Sequence, residues 1–162
     1  MSATIRKMTK EEFEDFYAWS VEHHAKELIE ELHMSQDEAI KQTIAEVAKM
    51  LSDGLNTKHN YLMTIVEEYS KETAGFIWTI HEETEGRKQS FICDFAIWES
   101  KRRKGYGAAA LRLVENQAAE AGCAESVLFV KDDNAAAEAL YEKCGYQVLR
   151  QHGYGKYMIK QL

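Results

Sequence analysis

Proline is missing from all 162 residues of this chain. Without it there is no rigid Pro-rich linker, and no low-complexity stretch or internal repeat takes its place. The expectation is one domain spanning 1–162, of ordinary size for a single core. Cysteine is scarce: Cys93, Cys123 and Cys144 are odd in number and lack C-x-x-C spacing. That argues against a disulfide framework and fits reduced thiols in a cytoplasm. His23 and His24 leave a helix in different directions and no His-x-x-x-His accompanies them, so no metal is expected. No run of 18 apolar residues occurs, so no membrane-spanning helix is expected. The polar N-terminus passes straight into structure, without a signal-peptide pattern.

What is present is 45% apolar and 29% charged, the balance of a globular protein. The charge is uneven. Residues 1–90 hold 10 Lys/Arg against 18 Asp/Glu, a net of −8, whereas residues 91–162 hold 10 against 9, a net of +1. An acidic surface repels nucleic acid and attracts a cation such as an amine; the same acids also serve simply to solvate two helices.

Thr4–Met8 reads as a first strand. Thr9 with Glu12 forms a capping box, opening a helix from about Lys10 to Glu31. Ser35 with Glu38 repeats the signature. Ile40, Ile44, Val47, Ala48 and Leu51 give the second helix one apolar face, and Gly54 stops it. Strands follow at Tyr61–Val66, Ala74–Ile80 and Gln89–Trp98, joined by polar turns near 68–72 and 83–87 that make antiparallel hairpins. From Lys104 the order becomes helix, strand, helix, so the strands flanking the long helix are expected to be parallel. Val148-Leu149 and Tyr157–Ile159 close the sheet, with Gly153-Tyr-Gly155 near their turn.

The chemistry concentrates between Phe91 and Tyr146. Glu99-Ser-Lys-Arg102-Arg-Lys-Gly105-Tyr-Gly107 joins a strand to the Ala/Leu-rich helix. Gly105 and Gly107 lack a Cβ, so their backbone N–H groups can close on a ligand. The positive end of the helix points at the same place, and Arg102, Arg103 and Lys104 add charge. A phosphate group is the natural occupant. Gly105-Tyr-Gly107-Ala-Ala-Ala110 also matches the dinucleotide pattern G-x-G-x-x-[G/A]. A doubly wound fold, however, wants further βα units, and only 55 residues follow Gly107.

Arg102-x-x-Gly105-x-Gly107 resembles the [Q/R]-x-x-G-x-[G/A] loop of the GNAT superfamily of acetyl-CoA-dependent N-acetyltransferases. Ile97-x-Glu99-x-x-Arg102 is similar to that family's V-x-P-x-x-R, with Glu99 where proline is common. Asn134-Ala-Ala-Ala-x-Ala-Leu-Tyr141-Glu-x-x-Gly145-Tyr146 resembles its N-x-x-A-x-x-[L/F]-Y-x-x-x-G-[F/Y]. The two motifs stand in the family's order and separation.

The resemblance implies an α/β (α+β) fold: a mixed, mostly antiparallel sheet of six to seven strands flanked by four helices. In such folds the junction of the first two helices borders the acceptor site. It implies acetyl transfer from acetyl-CoA to a primary amine by direct attack in a ternary complex. Backbone N–H groups from Arg103 through Lys104, Gly105, Tyr106, Gly107 and Ala108 would hold the pyrophosphate, with Arg102 adding charge. The backbone of Phe95, Ala96 and Ile97 would pair with the pantetheine arm. Asn134 would bond the cofactor, a role that competes with capping the last long helix. Tyr141 would protonate the departing thiolate.

The proton-accepting base is less marked. Alanine-acetylating relatives carry an acid in the strand after the long helix, where this chain has Phe129. Asp94 is the first candidate, ahead of His81 and Glu82. Cys93 lacks any sequence neighbour that would activate it as a nucleophile. Trp78, Trp98, Tyr17 and Trp19 could line an acceptor pocket or belong to the core. The acceptor is expected to be a small-molecule amine, a protein N-terminus or a lysine. Neither nucleic acid nor membrane is expected as a partner, and a homodimer stays open. A different class of function, a coenzyme A-binding regulatory or interaction module without transfer, draws support from Phe129 and the unassigned base.

Overall fold

The computed structural model describes residues 2–162. Among them, seven strands and four helices follow one another as β1(Ala3–Lys7), α1(Lys10–Leu32), α2(Gln36–Met50), β2(Asn60–Glu67), β3(Thr73–Thr84), β4(Arg87–Ile97), α3(Tyr106–Glu120), β5(Glu125–Lys131), α4(Ala135–Lys143), β6(Gln147–His152) and β7(Gly155–Gln161). Short 3-10 turns occupy Gly54–Asn56 and Glu99–Lys101. The chain divides into two compact units, a helical one of Met8–Asn60 and a sheet-containing one made of 2–7 and 61–162.

In the helical unit the caps form where the sequence signals them. The Thr9 side chain accepts from the Glu12 N–H at 3.1 Å and the Glu12 carboxylate from the Thr9 N–H at 2.9 Å. Ser35 accepts from the Glu38 N–H at 3.3 Å. The apolar face assigned to α2 is rotated. Ala39, Thr43 and Val47 are buried, while Ile40 and Ile44 are 36% and 47% exposed. Small residues occupy the inward line at i, i+4 spacing, and the larger isoleucines one step round the helix tip toward solvent. Gly54 does not stop α2, which ends at Met50 with Leu51 as its C-cap. Gly54 instead opens the following 3-10 turn at φ +54°.

In the other unit the sheet runs β1-β2-β3-β4-β5-β7-β6. β4 and β5 are parallel, as a crossover through α3 requires. The pairs β1/β2, β3/β4, β5/β7 and β6/β7 are antiparallel. The β3–β4 turn is tighter than expected: only Glu85 and Gly86, both at positive φ, separate the strands. The buried core joins Ile77, Ile92, Leu128 and Met158 of the sheet to Tyr106 and Leu111 of α3.

Candidate functional site

β4 and β5 stay together for only four residues, Gln89–Ile92 opposite Glu125–Leu128. The reason lies one residue further on. Trp78 of β3 faces Asp94, but Thr79 faces Ile92, so Cys93 is an extra residue in β4. A bulge of this kind bends its strand and raises the twist. Beyond it β4 keeps its register with β3 as far as Ile97, while β5 continues with β7 as far as Lys131. A wedge opens between them, with Asp94–Ile97 on one wall and 129–131 on the other.

The Trp98 N–H donates to Ala74 O at 2.8 Å. In an antiparallel pair the bonded edge alternates, so Ala96 turns its backbone toward β3, whereas Phe95 and Ile97 turn theirs into the wedge. Of the three strand residues singled out from sequence, Ala96 is therefore spent within the sheet. Arg102 bridges the rim, its Nε donating to Ile97 O at 3.0 Å.

The bulge also re-aims side chains. Ile92 and Phe95 both pack in the core against α3, although an unbroken strand would put residues three apart on opposite faces. The extra residue restores them to one face and delivers Asp94, opposite Trp78, to the other. Asp94 is 5% exposed. The neighbouring Cys93 thiol is pushed well up by burial and by the charges of Asp94 and Glu82, so it stays a thiol and makes a poor nucleophile. His81 and Glu82 pair with Ser90 and Gln89, on the closed side of the bulge away from the wedge. His81 is buried with its ring centroid 4.2 Å from that of Tyr61.

At the rim the chain enters the basic loop. Arg102, Arg103, Lys104 and Gly105 are exposed; Arg103 and Gly105 are left-handed at φ +61° and +85°. No side chain caps α3, and its first backbone bond runs from the Ala109 N–H to Gly105 O at 3.1 Å. The N–H groups of Tyr106, Gly107 and Ala108 therefore have no intrahelical acceptor. The two glycines are needed for different reasons. A Cβ on Gly105 would meet nothing within 4 Å, so its positive φ is what selects glycine. A Cβ on Gly107 would lie 3.2 Å from Leu140 Cδ2 and 3.7 Å from Phe95 Cζ. Gly107 is thus first a packing residue, where α3 closes on α4 and β4. The Tyr106 side chain is buried and donates its hydroxyl to Glu67, so only its backbone is available to a ligand. Glu67 also accepts from Lys101. Sequence reasoning missed Glu67 and Lys101, since 34 residues separate them and no periodicity links them.

α4 completes the site. Asn134 caps it, Oδ1 accepting from the Ala137 N–H at 3.3 Å. That bond is the capping role that the sequence set against a cofactor contact. Tyr141 is half-buried in the core cluster that includes Phe95 and Ile97. Burial, with a smaller push from Cys144, raises its hydroxyl to about 12. The ring of Tyr146 lies edge-on at 6.0 Å. That second tyrosine is fixed by Ser126 at 2.8 Å and Glu115 at 3.0 Å, and its N–H donates to Tyr141 O at 3.0 Å.

Phe129 of β5, weighed above against an acid, is packed among aromatics. Its ring lies 5.9 Å from Tyr154 and 5.1 Å from Tyr157. It also lies over Gly155, whose Cβ would come within 2.4 Å of Phe129 Cζ. Of the tryptophans considered for the acceptor pocket, Trp78 is 1% exposed and belongs to the core, while Trp98 is 39% exposed. Tyr17 and Trp19 lie in the helical unit, where they contact Phe13 and His23 respectively.

Comparison with known proteins converges on one family. The profile of the Acetyltransferase (GNAT) family matches residues 8–146. The chain is 31% identical over 146 residues to YdgE of Bacillus subtilis strain 168, named an uncharacterized N-acetyltransferase, covering 90% of this chain and 92% of that one. The crystal structure of YycN from Bacillus subtilis superposes with a TM-score of 0.84 at 26% identity, covering 93% of this chain and 96% of that one. PaiA N-acetyltransferase from Thermoplasma acidophilum, solved with coenzyme A, shares the fold at a TM-score of 0.71 and 20% identity over the full length of both chains. By that profile over residues 8–146 and by its likeness to these N-acetyltransferases, the chain belongs to the acetyltransferase (GNAT) family, whose members use acetyl-CoA to acetylate amines.

Proposed function

We propose that this chain moves acetyl from acetyl-CoA directly to a primary amine bound beside it, and that the wedge between β4 and β5 holds the pantetheine arm. One observation carries the reading. The backbone edges of Phe95 and Ile97 face a gap that β5 has vacated, and the same gap ends at an uncapped helix N-terminus flanked by three cations. A pantetheine amide satisfies the first as a further strand would. A pyrophosphate satisfies the N–H groups of Tyr106, Gly107 and Ala108, with Arg102, Arg103 and Lys104 supplying charge. The donors present therefore fit the group.

Bound acetyl-CoA supplies a thioester carbonyl, to which the amine nitrogen bonds as the carbon–sulfur bond breaks. The residues handle the protons. α3 and α4 fill one face of the sheet, so the amine approaches from the other, where the bulge has placed Asp94. Asp94 takes the proton that an ammonium must lose before it can attack. Tyr141, kept protonated by burial, gives its proton to the sulfur; the second proton that the nitrogen sheds on becoming an amide leaves to solvent, from which Tyr141 is recharged. The net charge of −8 over residues 1–90 suits a cationic acceptor, whether small molecule, protein N-terminus or lysine.

The test is titration of free thiol after incubation with acetyl-CoA and a panel of primary amines. The expected result is amine-dependent thiol release with intersecting double-reciprocal plots, retained in Cys93→Ala. Coenzyme A binding with no amine-dependent thiol would instead return the chain to a binding module.

A further inference from the structure

Among the buried carboxylates that the mechanism above leaves without a task, Glu67 alone joins the two ends of the basic loop. Glu67, the last residue of β2, is 8% exposed. Its Oε1 accepts from Lys101 Nζ at 2.6 Å and from Ser70 Oγ at 2.9 Å. Its Oε2 accepts from the Tyr106 hydroxyl. Lys101 also donates to Glu72, and the Glu67 N–H closes the β2–β3 turn on Glu72 O at 2.9 Å. The Lys101 and Tyr106 bonds hold the carboxyl down at about 2, so it is an anion at any working pH.

The placement of its two partners is what matters. Lys101 ends the 3-10 turn before the basic loop, and Tyr106 is the first residue of α3. Between them stand only Arg102, Arg103, Lys104 and Gly105. Both ends of the loop are thus tied to one carboxylate on a strand of the sheet. The loop needs such a hold, because Arg103 sits at φ +61°, a left-handed conformation that a non-glycine residue keeps only when its surroundings over-determine it.

Electrostatics alone would argue against an acid here. Glu67 and Glu72 together outweigh Lys101, and a net negative charge behind a phosphate site weakens it. We infer that Glu67 is a positioning residue for the cofactor: by gripping Lys101 and Tyr106 it fixes the loop so that its cations and the open N–H groups of α3 converge on the pyrophosphate. The inference rests on reading that loop as the phosphate site. It reverses the sign of the charge argument. Removing the negative charge would strengthen cofactor binding if charge dominated, and weakens it if geometry does.

The experiment compares coenzyme A with pantetheine, which lacks the phosphates, as ligands of Glu67→Gln and the parent by calorimetric titration. The parent is expected to prefer coenzyme A strongly. Glu67→Gln should lose about tenfold in coenzyme A affinity, the scale of a disrupted charge-assisted hydrogen bond, with pantetheine affinity unchanged. In turnover, KM for acetyl-CoA should rise by more than kcat falls. Coenzyme A affinity equal to or above the parent's overturns the inference while leaving the phosphate site intact. A parent that does not distinguish coenzyme A from pantetheine removes the phosphate reading, and the inference with it. Tyr106→Phe deletes one hydroxyl and keeps the ring in the core, so it decides the matter should Glu67→Gln fail to fold. It should show the same selective loss in smaller degree, and no loss counts against the proposal.

Discussion

In the proposed mechanism the hydroxyl of Tyr141 gives a proton and the carboxylate of Asp94 takes one. Tyr141 sits among apolar groups of the core, where an ionised phenolate is disfavoured. Its pKa is raised to about 12 from an ordinary 10, so the proton is present throughout any practical assay. Two consequences follow for Tyr141→Phe. The ring and its edge-on contact with Tyr146 are kept, so affinity for acetyl-CoA should stay within a few-fold. The chemical step loses its proton donor, and kcat should fall by at least about tenfold, the lower part of the range for general acid catalysis. The parent's kcat should show no downturn near pH 10 from this group. Equal kcat values for the two proteins across pH 6–10 would reduce Tyr141 to packing. Tyr141 was singled out in sequence because its motif is ordered and spaced, and the fold adds its place against the core beside Phe95 and Ile97. Asp94 was legible as a carboxylate near the loop but not as one on the face of the sheet away from α3. Its direction depends on the extra residue Cys93, and a bulge has no composition of its own.

Between residues 97 and 108, strand, 3-10 turn, loop and helix follow without a break, and the two glycines there separate local strain from packing. Sequence reasoning gave them one role, letting their backbone N–H groups close on a phosphate. The structure divides them. At Gly105 any side chain must adopt φ +85°, costing about 1–2 kcal/mol without touching a neighbour. At Gly107 the obstacle is Leu140, so Gly107→Val should push α3 off α4 and lower stability and cofactor affinity together. Trimming Leu140 to alanine in the same chain should recover part of the loss, with a coupling of about 0.5–3 kcal/mol for residues in direct contact. A double-mutant cycle in urea measures it, and strictly additive effects would show that Leu140 is not what Gly107 accommodates. The same boundary between local and non-local signals runs through the rest of the fold. Thr9, Glu12 and Ser35 cap helices from within a few residues and were read correctly. On α2, Val47 and Leu51 of the face read from sequence are buried, but the line before them was misplaced by one residue, because Ala39 and Thr43 carry too little apolar weight to outvote Ile40 and Ile44. The wedge, which positions everything else, was not visible at all. It arises from which strand stops pairing with which, and no local pattern encodes that.

Across the sheet-containing unit, β4 is tied at both ends by carboxylates from other elements. At its closed end Glu125 of β5 receives Arg87 of β4 through two bonds, Nε at 3.0 Å and Nη2 at 2.8 Å, and Gln161 of β7 at 3.4 Å. Beyond its open end Glu67 of β2 receives Lys101 and Tyr106. Both carboxyls are held below the ordinary 4.5, Glu125 chiefly by Arg87, and Glu67, by Lys101 and then Tyr106, down to about 2. A folded-state pKa below the unfolded one means that the unfolded chain binds the proton first. The stability these groups confer is therefore complete above about pH 4.5 and is lost as pH falls toward 2. The parent should lose stability steeply through that window, and Glu67→Gln, which has no proton to take up there, should lose it with a slope shallower by one proton. The two proteins should differ most at pH 7 and converge as pH approaches 2. Urea unfolding at pH 7, 5, 4 and 3 measures the difference. Curves that run parallel through the whole range would mean that Glu67 titrates alike in both states, so that its grip on Lys101 and Tyr106 does not persist in solution. Convergence would locate part of this protein's acid sensitivity at the contacts of Glu67 with Lys101 and Tyr106, and would place the proton uptake in the unfolded chain, because the folded chain keeps Glu67 ionised and its grip intact down to about pH 2.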